Sequence, residues 1–162
     1  MKRRSAWLSA IPLLAVMVLI FFFSAQSGLK SSNTSGRLTD FFIHLLFRNF
    51  DALSKARQEE IWSAASFMIR KLAHFSEFGA LGFFACLHLW EAREKLRELP
   101  GRLILFAWGF ASFYASTDEI HQIFSDSRGP QVRDVLIDSA GAALGTALFL
   151  LLIRIKSSKK QQ

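Results

Sequence analysis

STDEIHQIFSDSRGPQVRDVLID, residues 116–138, lies where two uncharged, mostly apolar runs, 103–117 and 139–153, give way to acids and bases. A helix needs about 20 mainly apolar residues to cross the hydrocarbon core of a bilayer. Each of these runs has 15 residues, so each reaches that length only by taking in polar residues at one end. Two further uncharged blocks occur earlier in the chain. Ser5–Leu29 is long enough to span outright, and Phe78–Trp90 again needs its neighbours. The stretch thus reads as the polar junction of two membrane helices, about 103–124 and 132–155, joined by the turn SDSRGPQ at 125–131.

Extending the same reading gives an all-α integral membrane protein in one domain, 1–162. Four transmembrane helices are predicted, at about 7–24, 67–90, 103–124 and 132–155. Pro12 is close enough to the start of the first to bend it rather than break it. SAQSGLKSSNTSG, 24–36, is small, polar and glycine-bearing, and is expected to be a loop. TDFFIHLLFRNF, 39–50, is too short to span and is expected as an amphipathic helix on the outer leaflet. His44 within it reads as an interfacial residue.

The net charge of +7 is distributed as a membrane protein's would be. With the amino terminus inside, the inner segments 1–5, 91–102 and 154–162 hold 11 of the 20 Lys and Arg in 26 residues. The outer segments 24–71 and 118–134 hold the other nine in 65 residues. That asymmetry obeys the positive-inside rule and predicts a multi-pass protein of the cell membrane with both termini cytoplasmic. Basic residues beside anionic lipid account for the charge, so no nucleic-acid partner is expected. MKRR followed by an apolar run and AQS at 25–27 imitates a cleaved signal peptide, but the run exceeds the usual 7–15 residues, roughly, and the helix is expected to be retained. The single cysteine, Cys86, lies in an apolar block and supports neither a disulfide framework nor a thiolate metal site.

Helical spacing draws the ionisable groups together at the outer end. His74 and Glu77 are three apart and share a face, with Glu77 about 9 Å below Lys71 at 1.5 Å per residue. Asp118, His121 and Gln122 share a face of the third helix, with Glu119 turned aside. On the fourth, Asp134 and Asp138 are four apart, and their stripe continues through Gly141 and Gly145, a small-xxx-small pair that admits a close neighbour. Each such group costs at least about 2.5 kcal/mol to bury in a membrane, which makes the cluster a functional-site hypothesis.

The residues leave three readings open. Glu77, Asp118, Glu119, Asp134 and Asp138 against Arg70, Lys71, Arg128 and Arg133 is a nearly balanced set, able to pair with itself and tie helix ends together. Arg128, Arg133 and Lys71 could instead clamp a phosphate or carboxylate, with Glu77, His74, Asp118 and His121 as acids and bases. A divalent metal on His74, Glu77, Asp118 and His121 is the weaker alternative, since no fixed ligand motif is present, and no cofactor is expected. Neither Ser24 nor Ser127 has the setting of a nucleophile.

FFFSAQSG at 21–28, RKLAHFSEFGALG at 70–82 and DEIHQIFSDSRGPQVRDVLIDSAGAALG at 118–145 resemble, in order, the patterns of the VanZ-like family. These are small membrane proteins named for an accessory gene of glycopeptide-resistance clusters. The resemblance implies that Ser24, Gln26, Lys71, His74, Glu77, Asp118, Glu119, His121, Gln122, Arg128, Asp134 and Asp138 are the family's characteristic polar positions. Phe78 departs from it, standing where the family often has Tyr and so removing a hydroxyl beside Glu77. The resemblance also implies four helices, a cell-membrane location and, for the namesake, low-level resistance to teicoplanin-type lipoglycopeptides. The expected partners are therefore membrane lipids, a lipid-linked envelope precursor or a lipoglycopeptide. An enzymatic and a purely structural role both remain open at this stage.

Overall fold

The computed structural model describes residues 2–24, 28–122 and 131–159, and all regular structure among them is helical. Helix α1 is Lys2–Ser24, α2 Gly28–Leu46, α3 Lys55–Ala92, α4 Glu94–Arg97, α5 Pro100–Gln122 and α6 Val132–Ser158. A single 3-10 turn, Phe50–Ala52, separates α2 from α3. Pro12 sits inside an unbroken α1. Pro100 opens α5, the position where its missing N–H has no intrahelical partner to lose. The turn expected at 125–131 falls, apart from Gln131, outside the described residues.

The segment 54–67, whose helical spacing leads into the second membrane helix, is continuous with it, and together they form α3, of 38 residues. No Gly or Pro interrupts the chain between Ser54 and Gly79, so nothing stops helix propagation there. At 1.5 Å per residue α3 is about 57 Å long, nearly twice a bilayer's hydrocarbon thickness, so its charged start at Lys55, Arg57, Glu59 and Glu60 stands beyond the apolar part. One expectation is corrected: 28–36, expected as loop, is the first half of α2, and the helix expected over 39–50 ends at Leu46. GLKSSNTSG is poor in helix formers, and tertiary packing on α3 overrides its propensity. Thr39 and Ile43 are buried, and Trp62 Nε1 of α3 donates to Asp40 Oδ1 at 2.8 Å. Gln58 Nε2 closes the connection by donating to the carbonyls of Phe50, Asp51 and Leu53 at 3.2, 3.2 and 3.1 Å.

Among the described residues three helices are long and apolar enough to cross a membrane: Ala6–Ser24, Lys55–Ala92 and Val132–Ser158, with mean hydropathy 2.5, 1.3 and 2.0. α5 is as long as α1 but does not reach that hydropathy, because Asp118 and Glu119 follow directly on its 15-residue uncharged run. It packs against α3 and α6 all the same, as the fourth member of the bundle.

The interior is narrow and made largely of small residues. Ile20, Phe78, Leu81, Ala111, Ala115 and Ala142 form one cluster, and Ala85, Cys86, Leu103, Ala107 and Phe149 continue it toward the far end. Many bulky apolar side chains point outward, among them Leu8, Phe22, Leu105, Phe113, Leu136 and Leu144. Large apolar surface facing away from the core is what a lipid solvent stabilises and water does not.

The α3–α6 seam is the closest in the bundle. A Cβ on Gly145 would lie 1.8 Å from the Gly79 carbonyl oxygen, one on Gly141 2.2 Å from that of Phe75, and one on Gly82 2.4 Å from that of Ala142. The small-xxx-small pair on α6 therefore does admit a close neighbour, and that neighbour is α3. The crossing orients the polar site: it turns the Asp134–Asp138 face of α6 toward Lys71 and His74 on α3.

Candidate functional site

Polar side chains from four helices meet at the end of the bundle formed by the carboxyl ends of α1 and α5 and the amino end of α6. From α1, Ser24 donates its hydroxyl hydrogen to Asp118 Oδ2 on α5 at 2.9 Å, and both residues are buried. Across the bundle, Lys71 of α3 forms an ion pair with Asp134 of α6, each about one-fifth exposed. Glu119, expected to turn aside from the other acids, is instead buried at 5% exposure. Its Oε2 accepts the backbone N–H of Gln131 at 2.9 Å, joining the end of α5 to the residue that caps α6. α6 lies on the side of α5 to which Glu119 points, which helical spacing within α5 alone could not reveal.

Lys71, His74, Glu119, Asp134, Ile137 and Asp138 enclose a cavity of about 10 Å³, room for roughly one water molecule. Asp138 is 2% exposed. One oxygen of Asp134, Oδ1, is buried without a hydrogen-bond partner, so the ion pair with Lys71 uses only half of that carboxylate. Asp118 stands within electrostatic range of Glu77, Glu119 and Asp138 and so links the two halves of the cluster.

His121 is placed differently from the other candidates. Its ring packs on Phe21 of α1 with centroids 4.7 Å apart, and its Nδ1 is buried without a partner. Arg133 is exposed and lies 5.7 Å from the centre of the Phe67 ring, while Lys71 Nζ is 5.3 Å from the same ring. Gln26 and Arg128 lie outside the described residues, as does the side chain of Gln122. Among the described residues no three His, Cys, Asp or Glu side chains are grouped as a metal site, which leaves the metal alternative on His74, Glu77, Asp118 and His121 without support from the geometry.

Two contributors were not singled out from the sequence. Phe67 gathers the two cations, and its position four residues before Lys71 puts both on one face of α3. Tyr114 stands four before Asp118 in the same way. Its hydroxyl donates to the Met17 carbonyl at 2.8 Å, and its ring is 6.3 Å from that of the fully buried Phe78. Helical spacing signals both, but an aromatic residue in an apolar run does not announce itself as part of a polar site.

A family model described as VanZ/LLP1 matches residues 9–154, nearly the whole chain. The chain belongs to the VanZ/LLP1 family. Every polar residue just described, from Ser24 to Asp138, falls within the matched span. No curated protein and no solved structure shows significant similarity to the chain. Membership in this family and three membrane-compatible helices together fit a membrane protein.

Proposed function

We propose that this VanZ/LLP1-family protein crosses the cell membrane four times, with both termini cytoplasmic. Its polar end then binds, and can modify, an anionic lipid or lipid-linked envelope component in the outer leaflet. The concentration of Lys and Arg in 1–5, 91–102 and 154–162 supports the orientation. α5 acts as the fourth span by carrying Asp118 and Glu119 at the site, where the bundle rather than lipid surrounds them. In this arrangement α2 lies along the outer leaflet. Leu38, Phe41, Phe42 and Leu45, a stripe at helical spacing turned away from α3, enter the interface.

The observation that carries the reading is the half-used carboxylate at the one-water cavity. Asp134 Oδ1 accepts from no protein group among the described residues, and Asp134 lines a space of about one water, so that oxygen is available to a hydrogen bond from a bound hydroxyl or water. The exposed Arg133, with Arg128 and Lys71, supplies positive charge for a phosphate, and Glu77, His74, Asp118 and His121 supply proton donors and acceptors. Binding a lipid-linked precursor there would also affect susceptibility to teicoplanin-type lipoglycopeptides. The second reading is a non-enzymatic module acting through a partner protein. It draws on three contacts that each staple two elements: Ser24 to Asp118, Lys71 to Asp134 and Glu119 to Gln131.

The deciding experiment compares binding of a polyprenyl phosphate with binding of the uncharged polyprenol by the purified protein. Tighter binding of the phosphate, weakened about tenfold by Arg133→Gln, is expected from the loss of one charge-assisted contact. Equal binding of the two lipids sinks the anion site. A companion measurement takes the thermal stability of Glu77→Gln and Asp118→Asn, each with and without a chelator. Stability equal to or above wild type fits functional carboxylates, and a large loss in both favours the structural module.

A further inference from the structure

The end of the bundle remote from the polar cluster carries a second feature of a different kind. A groove of about 540 Å³ opens there between α1 and α5, walled by Leu13, Phe106 and Phe110 and floored by Ala85 and Leu89 of α3. Its walls are almost wholly apolar, and Phe106 is more than half exposed beside it. At the mouth stands Arg93, the residue that ends α3. Arg93 is exposed and pairs with no carboxylate among the described residues. From Ala85 to Arg93 is about 12 Å along the helix at 1.5 Å per residue, most of the depth of one bilayer leaflet's hydrocarbon.

One polar group lies between these extremes. His88 lines the groove about 7.5 Å below Arg93. Its Nδ1 is 3.2 Å from Ser9 Oγ. Ser9 Oγ also lies 2.9 Å from the Ala6 carbonyl, so the ring is tied to α1 through Ser9 and Nε2 is its remaining polar atom.

We infer that this groove holds an anionic phospholipid, with one acyl chain between α1 and α5 and its phosphate on Arg93. An apolar trough of leaflet depth fits a hydrocarbon chain. An unpaired guanidinium at its mouth matches a phosphate in charge and in the geometry of its donors. The site is distinct from the polar end and does not depend on the function proposed for that end.

The test uses the full-length protein, stripped of lipid and returned to mixed micelles containing dioleoylphosphatidylglycerol or dioleoylphosphatidylcholine. Native mass spectrometry then counts the lipid retained. The wild type is expected to keep the anionic lipid in preference to the zwitterionic one. Arg93→Gln reduces that retention about fivefold, the effect of one basic residue at an anionic headgroup. Arg102→Gln, an equally exposed cation outside the groove, leaves it unchanged, and Phe106→Ser lowers retention of both lipids. Equal retention of the two lipids by the wild type overturns the inference. So does an equal loss in Arg93→Gln and Arg102→Gln, which would mark diffuse charge attraction. A loss produced by Arg133→Gln in place of Arg93→Gln would put the lipid at the polar end and overturn it as well.

Discussion

Between Gly79 and Gly145 the helices α3 and α6 meet backbone to backbone, whereas two to three turns away, at Lys71 and Asp134, the same two helices meet through charged side chains. The glycine half has no side chains to order and fixes how far apart the axes lie. The charged half cannot set that distance, because a lysine stem adapts to whatever separation it is given and the pair must be desolvated to form. The dependence is therefore one-way. The seam holds the helices at the spacing that encloses the one-water cavity, and the polar groups occupy it. Disturbing the seam should destroy both halves, and disturbing the polar half should leave the seam standing.

The largest effect is expected from the seam itself. Gly145→Leu should abolish the folded bundle, and even Gly145→Ala, which sets a Cβ against a backbone carbonyl, should cost about 3 kcal/mol. Gly109→Ala on α5 is the matched control, since a Cβ there meets nothing within 4 Å. It should be neutral or stabilising by up to about 1 kcal/mol through helix propensity. Unfolding in detergent, followed by loss of helicity, ranks the three variants, and a Gly145→Ala protein as stable as Gly109→Ala would refute the close seam. Next in size comes Lys71→Met, which strands Asp134 without its counter-charge and should cost about 3 kcal/mol. Adding Asp134→Leu should restore most of that loss. If the double variant stays as unstable as the single one, the pair is not the unit the structure makes it.

The same comparison separates what the sequence discloses from what it conceals. The seam was legible because Gly141 and Gly145 recur at helical spacing on the face that carries Asp134 and Asp138, and spacing within one helix is a one-dimensional property. Which helix fills that face was not legible, since nothing in α6 names Phe75 or Gly79 as its neighbours. Glu119 shows the same limit: its position in α5 is readable, but its contact with Gln131 depends on where α6 begins. The continuity of α3 was legible, because helical spacing runs from 54–67 into the apolar part and no helix breaker occurs between them. At α2 the polar composition of 28–36 suggested a loop, and the packing of the hairpin on Trp62 outweighed it.

On the polar half, Ser24→Ala tests one of the two α1–α5 hydrogen bonds described, the other being Tyr114 to Met17. It removes the hydroxyl that Asp118 accepts from and should destabilise by about 1.5 kcal/mol, less than the loss of the Lys71 charge. Ser24→Thr keeps the donor and should recover much of the loss. If Ser24→Ala melts with the wild type, that hydrogen bond contributes nothing to holding α1 in the bundle.

The smallest effect lies outside the bundle, where the hairpin of α2 and α3 has neither a glycine seam nor a buried ion pair among its described residues. His44 is held there by its hydrogen bond to the Asp40 carbonyl at 2.8 Å and by Asp51, 3.4 Å away. Both contacts favour the charged ring, the carbonyl contact more strongly, and its pKa is raised above the ordinary value. A raised folded pKa means that the histidine's contribution is fully present below its unfolded value of about 6.5 and is lost as pH rises through the folded one. The ring is half exposed and Asp51 more so, so solvent screens the interaction and the change should be slight. Amide protection factors over residues 37–54, compared between about pH 5.5 and about pH 8, should fall modestly at the higher pH. In His44→Gln they should be the same at both. A hairpin whose protection rises with pH would mean that the ring is held in its neutral form, and the contrast with the bundle, where geometry rather than charge fixes the packing, would have to be redrawn.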